Sequence, residues 1–377
     1  MRIIYVNDSI AIWGGLERIL VEKVNELSKR YGYEIFILTV NQGRHPVPFP
    51  LCSEIVHRDL DMSFHRQYQY NGIRRIWIRY KLNRLFYYRL REQINEIRPD
   101  IIVSMRWGFV RPLLKIKKSI PLIYEAHTFC SEYSLQNLSI IMKWLYKRNL
   151  YAVKSAEMVV SLTEGDAREW KHMNNHVIVI PNIVHLNSSG HYSECQSKSV
   201  IYVGRYDRQK DMSSLLSIWE IVHKRYLDWQ LHIYGGYGVE QKMLLAKISQ
   251  MNANIFVHEP TSDILNRYLE CSILLLTSLY EPFGLVLPEA MSCGLPVVAF
   301  DCPYGPADII TNGVDGFLIK ERDVNLYAEK VSLLMDDVNL RRKMGQAGVI
   351  SSQRYAAERI IPEWKQLFEQ MIDKKTS

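Results

Sequence analysis

The chain has 377 residues, of which 47% are hydrophobic, and its formal net charge is +7. This length and composition predict two domains with full hydrophobic cores. The charge is uneven: residues 1–186 hold 27 Lys and Arg against 17 Asp and Glu (+10), and residues 187–377 hold 20 against 23 (−3). We therefore expect an anionic partner, such as a membrane surface or a lipid phosphate, on the first half.

The composition also excludes two classes of protein. No apolar run approaches the roughly 20 residues that a membrane-spanning helix needs, so any membrane contact is expected to be peripheral. The six cysteines form neither a Cys-x-x-Cys pair nor a zinc-binding spacing, which favours a reducing cytosol over a disulfide framework. Met1–Val6 is too short for a signal peptide and is predicted to be a strand.

The chain opens with a predicted strand, a glycine turn and a helix. Ile3–Val6 is the strand, Gly14-Gly15 is the turn, and apolar residues then recur at helical spacing from Leu16 to Leu27. This order is typical of a doubly wound α/β domain. Gly15 would let the backbone approach a ligand closely. Because no Gly-x-Gly-x-x-Gly fingerprint occurs here, a dinucleotide-dependent oxidoreductase is not indicated.

Residues 66–91 contain eight Lys or Arg and no acid, interleaved with aromatic and aliphatic residues. A basic helix rich in Tyr and Trp is typical of an interfacial helix on anionic lipids. An ordinary domain helix with a solvated basic face explains the pattern equally well. Nucleic acid is not expected as a partner, because nothing else in the chain resembles a nucleic-acid module.

Polar residues follow the strand predicted at Pro121–Ala126. In an open α/β sheet, residues at the carboxyl end of a strand face the ligand crevice, and His127 is such a residue here. Glu125 is placed to orient the imidazole ring. A purely structural loop histidine is the alternative.

The chain is predicted to divide after residue 186. Residues 187–199 are small and polar, as a linker should be, and the doubly wound pattern restarts with a strand at Val200–Val203. We expect a first domain at 1–186, a second at 200–355, and a final amphipathic helix at 356–377.

Two cations follow the strand at Val200–Val203. Arg205 and Lys210 are separated by one turn, so both are expected to reach one point above the strand end. A diphosphate suits such a pair, because Arg binds as a fork and Lys as a point charge. Asp211 stands next to Lys210, and we expect this acid to make the lysine less free for phosphate.

The most informative segment is Glu281–Phe300, which is predicted to form a loop, a short helix, a turn and a buried strand. Pro288 suits the first turn of the helix, and Gly294 suits its end. The turn at Phe283, Gly284 and Leu285 can direct backbone N–H groups at an anion. Glu281 and Glu289 lie eight positions apart, so they flank this anion site instead of sharing one helical face.

This segment resembles the Glu-x7-Glu signature of retaining glycosyltransferases of the GT-B fold, specifically glycosyltransferase family 4. The Ala-Met-x-x-Gly-x-Pro-Val-Val run that starts at Ala290 matches the family position by position. The loop at residues 14–17 and the turn at residues 204–211 resemble two other family motifs, although Asp211 replaces the usual Gly. The resemblance implies two Rossmann-like domains that face each other across a cleft containing the active site.

The resemblance also implies roles for the candidate residues. The donor would be a UDP-sugar that gives up a hexose or N-acetylhexosamine with retention of configuration. His127 and Glu281 would contact the transferred sugar, and Glu289 would hold the ribose hydroxyls. The remaining donor-binding residues would be Gly15, Arg205, Lys210, Phe283, Gly284 and Leu285.

The expected partners follow from the same resemblance. The acceptor would be a lipid-linked or polysaccharide glycan in bacterial capsule, O-antigen or lipopolysaccharide synthesis. The loop at residues 301–310 is similar to that of family members that build cell-surface polysaccharides. The enzyme would be cytoplasmic, with peripheral contact at the inner face of the cytoplasmic membrane.

No cofactor and no metal are expected. Asp59-Leu60-Asp61 fits the letters of an Asp-x-Asp metal motif, but it is predicted to lie among loop residues of the wrong half. The alternative function is a nucleotide-sugar-binding protein or epimerase of the GT-B fold without glycosyl transfer.

Overall fold

The computed structural model describes residues 1–128, 140–236 and 238–376. These residues form two compact units, one made of Met1–Ile183 with Ala357–Ser377 and the other of Val184–Ala356. Each unit contains one parallel sheet packed with helices, so the predicted fold class is confirmed.

The first unit has a seven-stranded sheet. Its strands are β1 (Arg2–Asn7), β2 (Glu34–Thr39), β3 (Val56–Asp59), β4 (Ile101–Ser104), β5 (Leu122–Glu125), β6 (Met158–Ser161) and β7 (Val177–Val179). Their order is β3-β2-β1-β4-β5-β6-β7. Ile3 of β1 pairs with Ile35 of β2 on one side and with Ile101 of β4 on the other. The strand order therefore reverses between β1 and β4, where α/β sheets place their ligands.

Helices cover both faces of this sheet, because successive residues of a strand point to opposite sides. The helices that precede the second unit are α1 (Gly15–Tyr31), α2 (Gly72–Ile97), α3 (Trp107–Ile116), α4 (Ile140–Tyr151) and α5 (Glu164–Lys171). Ile3 and Tyr5 of β1 belong to a core that also contains residues of α1. Ile4 and Val6 belong to a second core with residues of α2 and α3.

The second unit has a six-stranded sheet of the same kind. Its strands are β8 (Ser199–Val203), β9 (Gln230–Tyr234), β10 (Ile255–His258), β11 (Ile273–Leu276), β12 (Val297–Phe300) and β13 (Gly316–Ile319). Their order is β10-β9-β8-β11-β12-β13. Val200 of β8 pairs with Leu231 of β9 and with Ile273 of β11. The reversal here lies between β8 and β11, so the loops after these two strands lie side by side.

Seven helices are described in the second unit. They are α6 (Met212–His223), α7 (Gln241–Gln250), α8 (Ile264–Leu269), α9 (Val286–Ser292), α10 (Gly305–Ile309), α11 (Val324–Asp336) and α12 (Val338–Ser352). The core of this unit contains buried residues of α6, α7, α11 and α12 together with the strands. Gly294 follows α9 with a φ of 84°, which agrees with its predicted place at a helix end.

The final helix, α13 (Ala357–Thr376), belongs to the first unit. Its apolar residues are buried in the same core as Ile3 and Tyr5: Ile360, Ile361, Trp364, Leu367, Phe368 and Met371. The first unit is therefore built from two separate pieces of the chain. Residue 377, the last of the predicted helix, lies outside the described residues.

The basic segment at residues 66–91 is not one continuous helix. A 3₁₀ turn covers Phe64–Gln69, and α2 begins only at Gly72, whose φ is 54°. Phe86 and Leu90 in the second half of α2 are buried in the core. No helix among residues 1–128, 140–236 and 238–376 combines the length and the hydropathy that a membrane-spanning segment needs.

Candidate functional site

The loops after β8 and β11 are joined by hydrogen bonds at the point where the second sheet reverses. The Leu279 N–H donates to the carbonyl of Gln209 over 2.8 Å, and the Gln209 side-chain amide donates to the carbonyl of Tyr280 over 3.2 Å. The turn that carries Lys210 is therefore fixed beside the loop that carries Glu281.

Lys210 and Glu281 form an ion pair in this corner. The Lys210 Nζ lies 2.5 Å from Glu281 Oε2, and the Ser278 hydroxyl donates to the same oxygen over 3.1 Å. Both charged side chains are largely buried. The expectation that Asp211 restrains Lys210 is wrong, because the Asp211 carboxylate accepts from Ser214 and pairs with Arg322. The acid that engages Lys210 is Glu281.

Arg205 is placed differently from Lys210. Its side chain is 66% exposed, and its guanidinium lies 3.1 Å from the Asp207 carboxylate. The structure brings Lys210 to Glu281, but it gives Arg205 a different partner. The convergence of the two cations on one point stays a prediction.

The turn at Phe283, Gly284 and Leu285 leads into α9. Gly284 has a φ of 97°, which residues other than glycine rarely adopt. Within residues 1–128, 140–236 and 238–376, the N–H groups of these three residues donate no hydrogen bond. Buried or half-buried N–H groups are normally satisfied, so this turn offers donors to a ligand. An anion is the natural acceptor beside Lys210.

A loop after β12 supports this turn from behind. The Glu281 N–H donates to Pro303 O over 2.6 Å, and the Gly305 N–H donates back to Glu281 O over 2.8 Å. A Cβ atom on Gly305 would lie 1.7 Å from the carbonyl oxygen of Phe283. The backbone of the loop therefore packs directly on the turn, which restricts how the turn can move.

Glu289 lies inside α9 and is 3% exposed. The Tyr268 hydroxyl of α8 donates to its Oε2 over 3.4 Å. Its predicted contact with ribose hydroxyls stays a prediction.

In the first unit, His127 follows β5. Its Nε2 lies 2.9 Å from Glu125 Oε1, which is the orienting contact that the sequence predicts. The other carboxylate oxygen of Glu125 is bound by the ammonium of Lys23. Burial alone would raise the pKa of Glu125, but the charges of Lys23 and His127 outweigh it and lower the pKa to about 2.

Gly15 is the first residue of α1, and Gly14 is its N-cap residue. A Cβ atom on Gly14 would lie 2.5 Å from the Glu17 carboxylate. This oxygen is the far end of a flexible side chain, so the contact places the Glu17 carboxylate beside the glycine turn without fixing the turn. The predicted contact of Gly15 with the donor stays a prediction.

Three residues of this framework were missed by the sequence analysis: Lys23, Ser278 and Arg322. The Arg322 guanidinium donates to the carbonyls of Thr277 and Ser278 over 2.9 and 2.8 Å and stacks over Phe300 at 4.2 Å. It thereby fixes the loop after β11. Ser278 stands three positions before Glu281, so its side chain could have been found from local spacing, whereas Arg322 had no local signal.

No group of three His, Cys, Asp or Glu side chains suited to a metal ion occurs in the described part of the chain. Asp59 is the last residue of β3 rather than a loop residue, and its carboxylate accepts the N–H groups of Gln42 and Gly43. Five cysteines are free, and Cys130 lies outside the described residues.

Comparison with known proteins identifies both parts of the chain. Residues 191–349 match the family model of glycosyl transferases group 1, and residues 13–188 match that of glycosyltransferase family 4. An uncharacterised glycosyltransferase of Haemophilus influenzae is 27% identical over 362 residues, which covers 93% of this chain and 95% of the relative. The amylovoran biosynthesis glycosyltransferase AmsD of Erwinia amylovora is 27% identical over 378 residues, covering 97% and 99%.

Among solved structures, a mutant of S. aureus TarM in complex with fondaparinux, alpha-GlcNAc-glycerol and UDP is similar with a TM-score of 0.79. The two chains are 15% identical, and the match covers 97% of this chain and 99% of the other. At this identity the similarity establishes the fold alone. The chain thus has the GT-B fold, and the two family models, matching residues 13–188 and 191–349, indicate a glycosyltransferase similar to family 4.

Proposed function

We propose that the chain transfers a hexose or N-acetylhexosamine from a UDP-sugar to a glycan acceptor of the bacterial cell surface, with retention of configuration. The observation that carries this proposal is the corner formed by Lys210, Glu281 and the turn at residues 283–285. The Lys210 ammonium pairs there with Glu281, and the turn that follows has three N–H groups with no acceptor in the described part of the chain. This set of donors suits the diphosphate of a nucleotide sugar.

The charge balance of the corner supports a catalytic use. Negative charge develops on the β-phosphate as the bond to the sugar breaks, and pre-placed donors stabilise that charge. Lys210 is paired with Glu281 in this structure. We propose that the diphosphate replaces Glu281 as the partner of the Lys210 ammonium, so that the Glu281 carboxylate can accept hydrogen bonds from the sugar hydroxyls. Arg205 is exposed and could exchange Asp207 for a phosphate oxygen.

The remaining residues are assigned to the two ends of the donor. We propose that Glu289 binds the ribose, because a carboxylate accepts two hydroxyl donors. Gly15 and His127 are proposed to meet the phosphate and the sugar, respectively. We propose that charge on the phosphates is met by Lys, Arg and N–H groups, without a metal ion or cofactor.

The similar proteins guide the choice of substrates. AmsD takes its name from amylovoran biosynthesis, and the TarM structure contains UDP and alpha-GlcNAc-glycerol. For this chain we therefore propose a UDP donor and a lipid-linked or polysaccharide acceptor.

The test is UDP release from a panel of UDP-sugars, with and without lipid-linked glycans. Lys210→Ala and Arg205→Ala should each lower kcat by tenfold or more, about 1.4 kcal/mol or above. Lys198→Ala and Arg225→Ala are matched controls, since both residues form surface ion pairs in the same unit. NMR of the product's anomeric proton reports retention. Wild-type turnover in both site variants would refute these roles, and sugar conversion without UDP release would favour the epimerase alternative.

We further propose that the first half of α2 binds an anionic membrane surface. Ile73, Ile76, Trp77 and Tyr80 follow helical spacing and are 86%, 69%, 55% and 59% exposed. Four such residues on one helical stripe are unusual for a surface in contact with water alone. Lys81 lies over the Trp77 ring at 3.5 Å, so basic groups flank the stripe.

The same surface offers a place for a lipid phosphate. A cavity of about 280 Å³ is lined by Phe64, Gln67, Tyr68, Arg75, Arg79 and Asn83. Two of these residues are arginines, which bind phosphate well. Apolar insertion and charge attraction together suit a headgroup layer of anionic lipid. This location would bring the enzyme to lipid-linked acceptors at the inner face of the cytoplasmic membrane.

Vesicle co-sedimentation tests the membrane proposal. The chain should bind vesicles of phosphatidylcholine mixed with phosphatidylglycerol. Binding should weaken when salt is added, and it should be weaker to vesicles of phosphatidylcholine alone. Ile76→Ser/Trp77→Ser should reduce binding by at least tenfold. Leu227→Ser/Ile350→Ser removes two exposed apolar residues of the other unit and should change nothing. Equal binding by both double variants would contradict the proposal.

A further inference from the structure

Glu125 is shared between two side chains in the core of the first unit. Lys23 of α1 and Glu125 at the end of β5 have side chains that are 2% and 1% exposed. Glu125 Oε2 accepts from the Lys23 ammonium, and Glu125 Oε1 lies 2.9 Å from Nε2 of His127. Each carboxylate oxygen therefore has its own partner, and Lys23 is connected to His127 through Glu125.

Aromatic rings surround the Lys23 ammonium on the sides away from Glu125. Its ammonium lies 4.2 Å from the Trp364 ring centroid and 5.2 Å from that of Tyr5. Among the described residues, Glu125 is the one hydrogen-bond acceptor for this ammonium. The titratable groups around the carboxylate are Lys23 of α1, Tyr5 of β1 and His127 after β5. Of these, Lys23 is the cation that pairs directly with the Glu125 carboxylate: burial lowers the pKa of its ammonium, and the charge and hydrogen bond of Glu125 oppose that shift.

A purely structural role explains this arrangement poorly. A buried ion pair is often no more stabilising than apolar side chains of similar volume. Here the pair uses only one carboxylate oxygen, and the other is aimed at the histidine that sequence resemblance places in the active site. A fixed carboxylate that accepts Nε2–H selects one tautomer of a neutral imidazole and leaves Nδ1 as an acceptor.

We propose that Lys23 is a positioning residue: it keeps Glu125 ionised, so that His127 donates through Nε2 and offers its unprotonated Nδ1 to a hydroxyl group of the transferred sugar. The participation of the sugar rests on the proposed function, whereas the tautomer does not. No proton is transferred in this role. The ring serves as an oriented acceptor.

Removal of the Lys23 charge has a defined chemical consequence. In Lys23→Met the buried Glu125 loses its counterion, so Glu125 and His127 together should take up one proton. If the proton stays on the ring, His127 carries hydrogens on both nitrogens. If the proton stays on Glu125, the carboxyl donates to Nε2 and the ring proton sits on Nδ1. Both outcomes place a hydrogen on Nδ1, so Nδ1 can no longer accept.

The experiment is NMR of the full chain labelled with 15N-histidine, at about pH 7.5, with His127→Gln to assign the signals. The wild type should show Nε2 protonated and Nδ1 unprotonated. Lys23→Met should show Nδ1 protonated, and its kcat should fall about tenfold with little change in donor KM, as for one lost hydrogen bond. Lys23→Met/Glu125→Gln has no buried charge and keeps an acceptor for Nε2–H. It should restore an unprotonated Nδ1 and recover part of the kcat.

Lys117→Met is the matched control, because Lys117 pairs with Glu157 at 2.6 Å in the same unit without contact to His127. It should leave the His127 signals and kcat unchanged. An Nδ1-protonated ring in the wild type, or unchanged His127 signals in a folded Lys23→Met, would overturn the proposal. If Lys23→Met does not fold, the double variant decides: a protonated Nδ1 there is the contrary result. The expected signals without any UDP release would uphold the positioning role and reject the proposed function.

Discussion

Asp211 combines a backbone role with a charge role. Its φ of 43° and ψ of 57° are left-handed, its carboxylate accepts the N–H of Ser214 at the start of α6, and it pairs with Arg322. A glycine adopts this backbone without strain, which gives a physical reason for the usual Gly of the motif that this turn resembles. The acid adds a helix cap and a link to Arg322 that glycine lacks.

Asp211 variants separate these contributions. Asp211→Ala keeps the left-handed backbone and loses the cap, so the free energy of unfolding should fall by about 1–3 kcal/mol. Asp211→Gly also loses the cap, but glycine adopts the left-handed backbone without strain, so its free energy of unfolding should fall by less. Asp211→Asn is the control, since Asn caps helices and tolerates this backbone. Urea denaturation measures all three, and an alanine variant as stable as the asparagine variant would speak against this account.

Acid should destabilise the first unit through Glu125. The folded-state pKa of Glu125, about 2, lies below the ordinary 4.5. Its ionised carboxylate therefore contributes fully to the free energy of unfolding above about pH 4.5, and this contribution is lost as the pH falls toward 2. The loss is on the order of 3 kcal/mol, from 1.36 kcal/mol for each pKa unit. As the pH is lowered across this range, the urea midpoint of Lys23→Met/Glu125→Gln should fall less steeply than that of the wild type. Glu34→Gln, which removes an exposed ion pair, should keep the wild-type slope.

Contacts between side chains could be predicted where the two residues are close in sequence. His127 and Glu125 are two positions apart, and their contact follows from the end of one strand. Lys23 is 102 residues from Glu125, so no spacing could reveal the pair. Asp207, the partner of Arg205, lies only two positions away, and an acid so close to an arginine on a turn could have been recognised.

At the scale of elements, the site depends on the close packing of two loops. A Cβ atom at residue 305 would lie 1.7 Å from the Phe283 carbonyl, which no side-chain adjustment can relieve. Gly305→Ala should therefore displace the turn at residues 283–285, cost about 1–3 kcal/mol of stability, and weaken UDP binding. Gly108→Ala, at a helical glycine with no atom near its added Cβ, should leave UDP binding unchanged and should not lower stability, because alanine favours the helix. Calorimetry with UDP and thermal unfolding measure the two effects.

Strand-and-helix patterns were predictable, and the limits of one helix were not. Apolar runs identified strands such as β1, β5 and β8, because parallel strands buried on both faces are continuously apolar. The edge strand β3 (Val56–Asp59) was not predicted, because it is polar and has no buried residue. Within residues 66–91, the basic and aromatic residues suggest a single helix, but the helical backbone is interrupted at Tyr70 and Asn71, and α2 begins at Gly72. A glycine after an asparagine is a turn signal, so charge pattern and backbone signals need to be weighed together.

For the whole molecule, the two compact units do not correspond to two successive halves of the sequence. The second unit is one uninterrupted segment, Val184–Ala356, whereas the first needs α13 from the far end of the chain. Amphipathic spacing predicted this helix, and the buried Trp364 and Phe368 show the core that it completes. The loops of the second unit that form the candidate site all come from one segment. Their assembly therefore requires no residue of the first unit.

This difference predicts how the two units fold in isolation. Residues 184–356 alone should unfold cooperatively and bind UDP, as measured by circular dichroism and calorimetry. Residues 1–183 alone should not fold, because six buried side chains of α13 are missing. At about 2 kcal/mol for each, their loss is on the order of 12 kcal/mol, comparable to the whole stability of a typical domain. Joining residues 357–377 to residue 183 through a flexible linker is the control and should restore folding. Equal thermal stability of the fragment with and without α13 would show that the helix is dispensable to the first core.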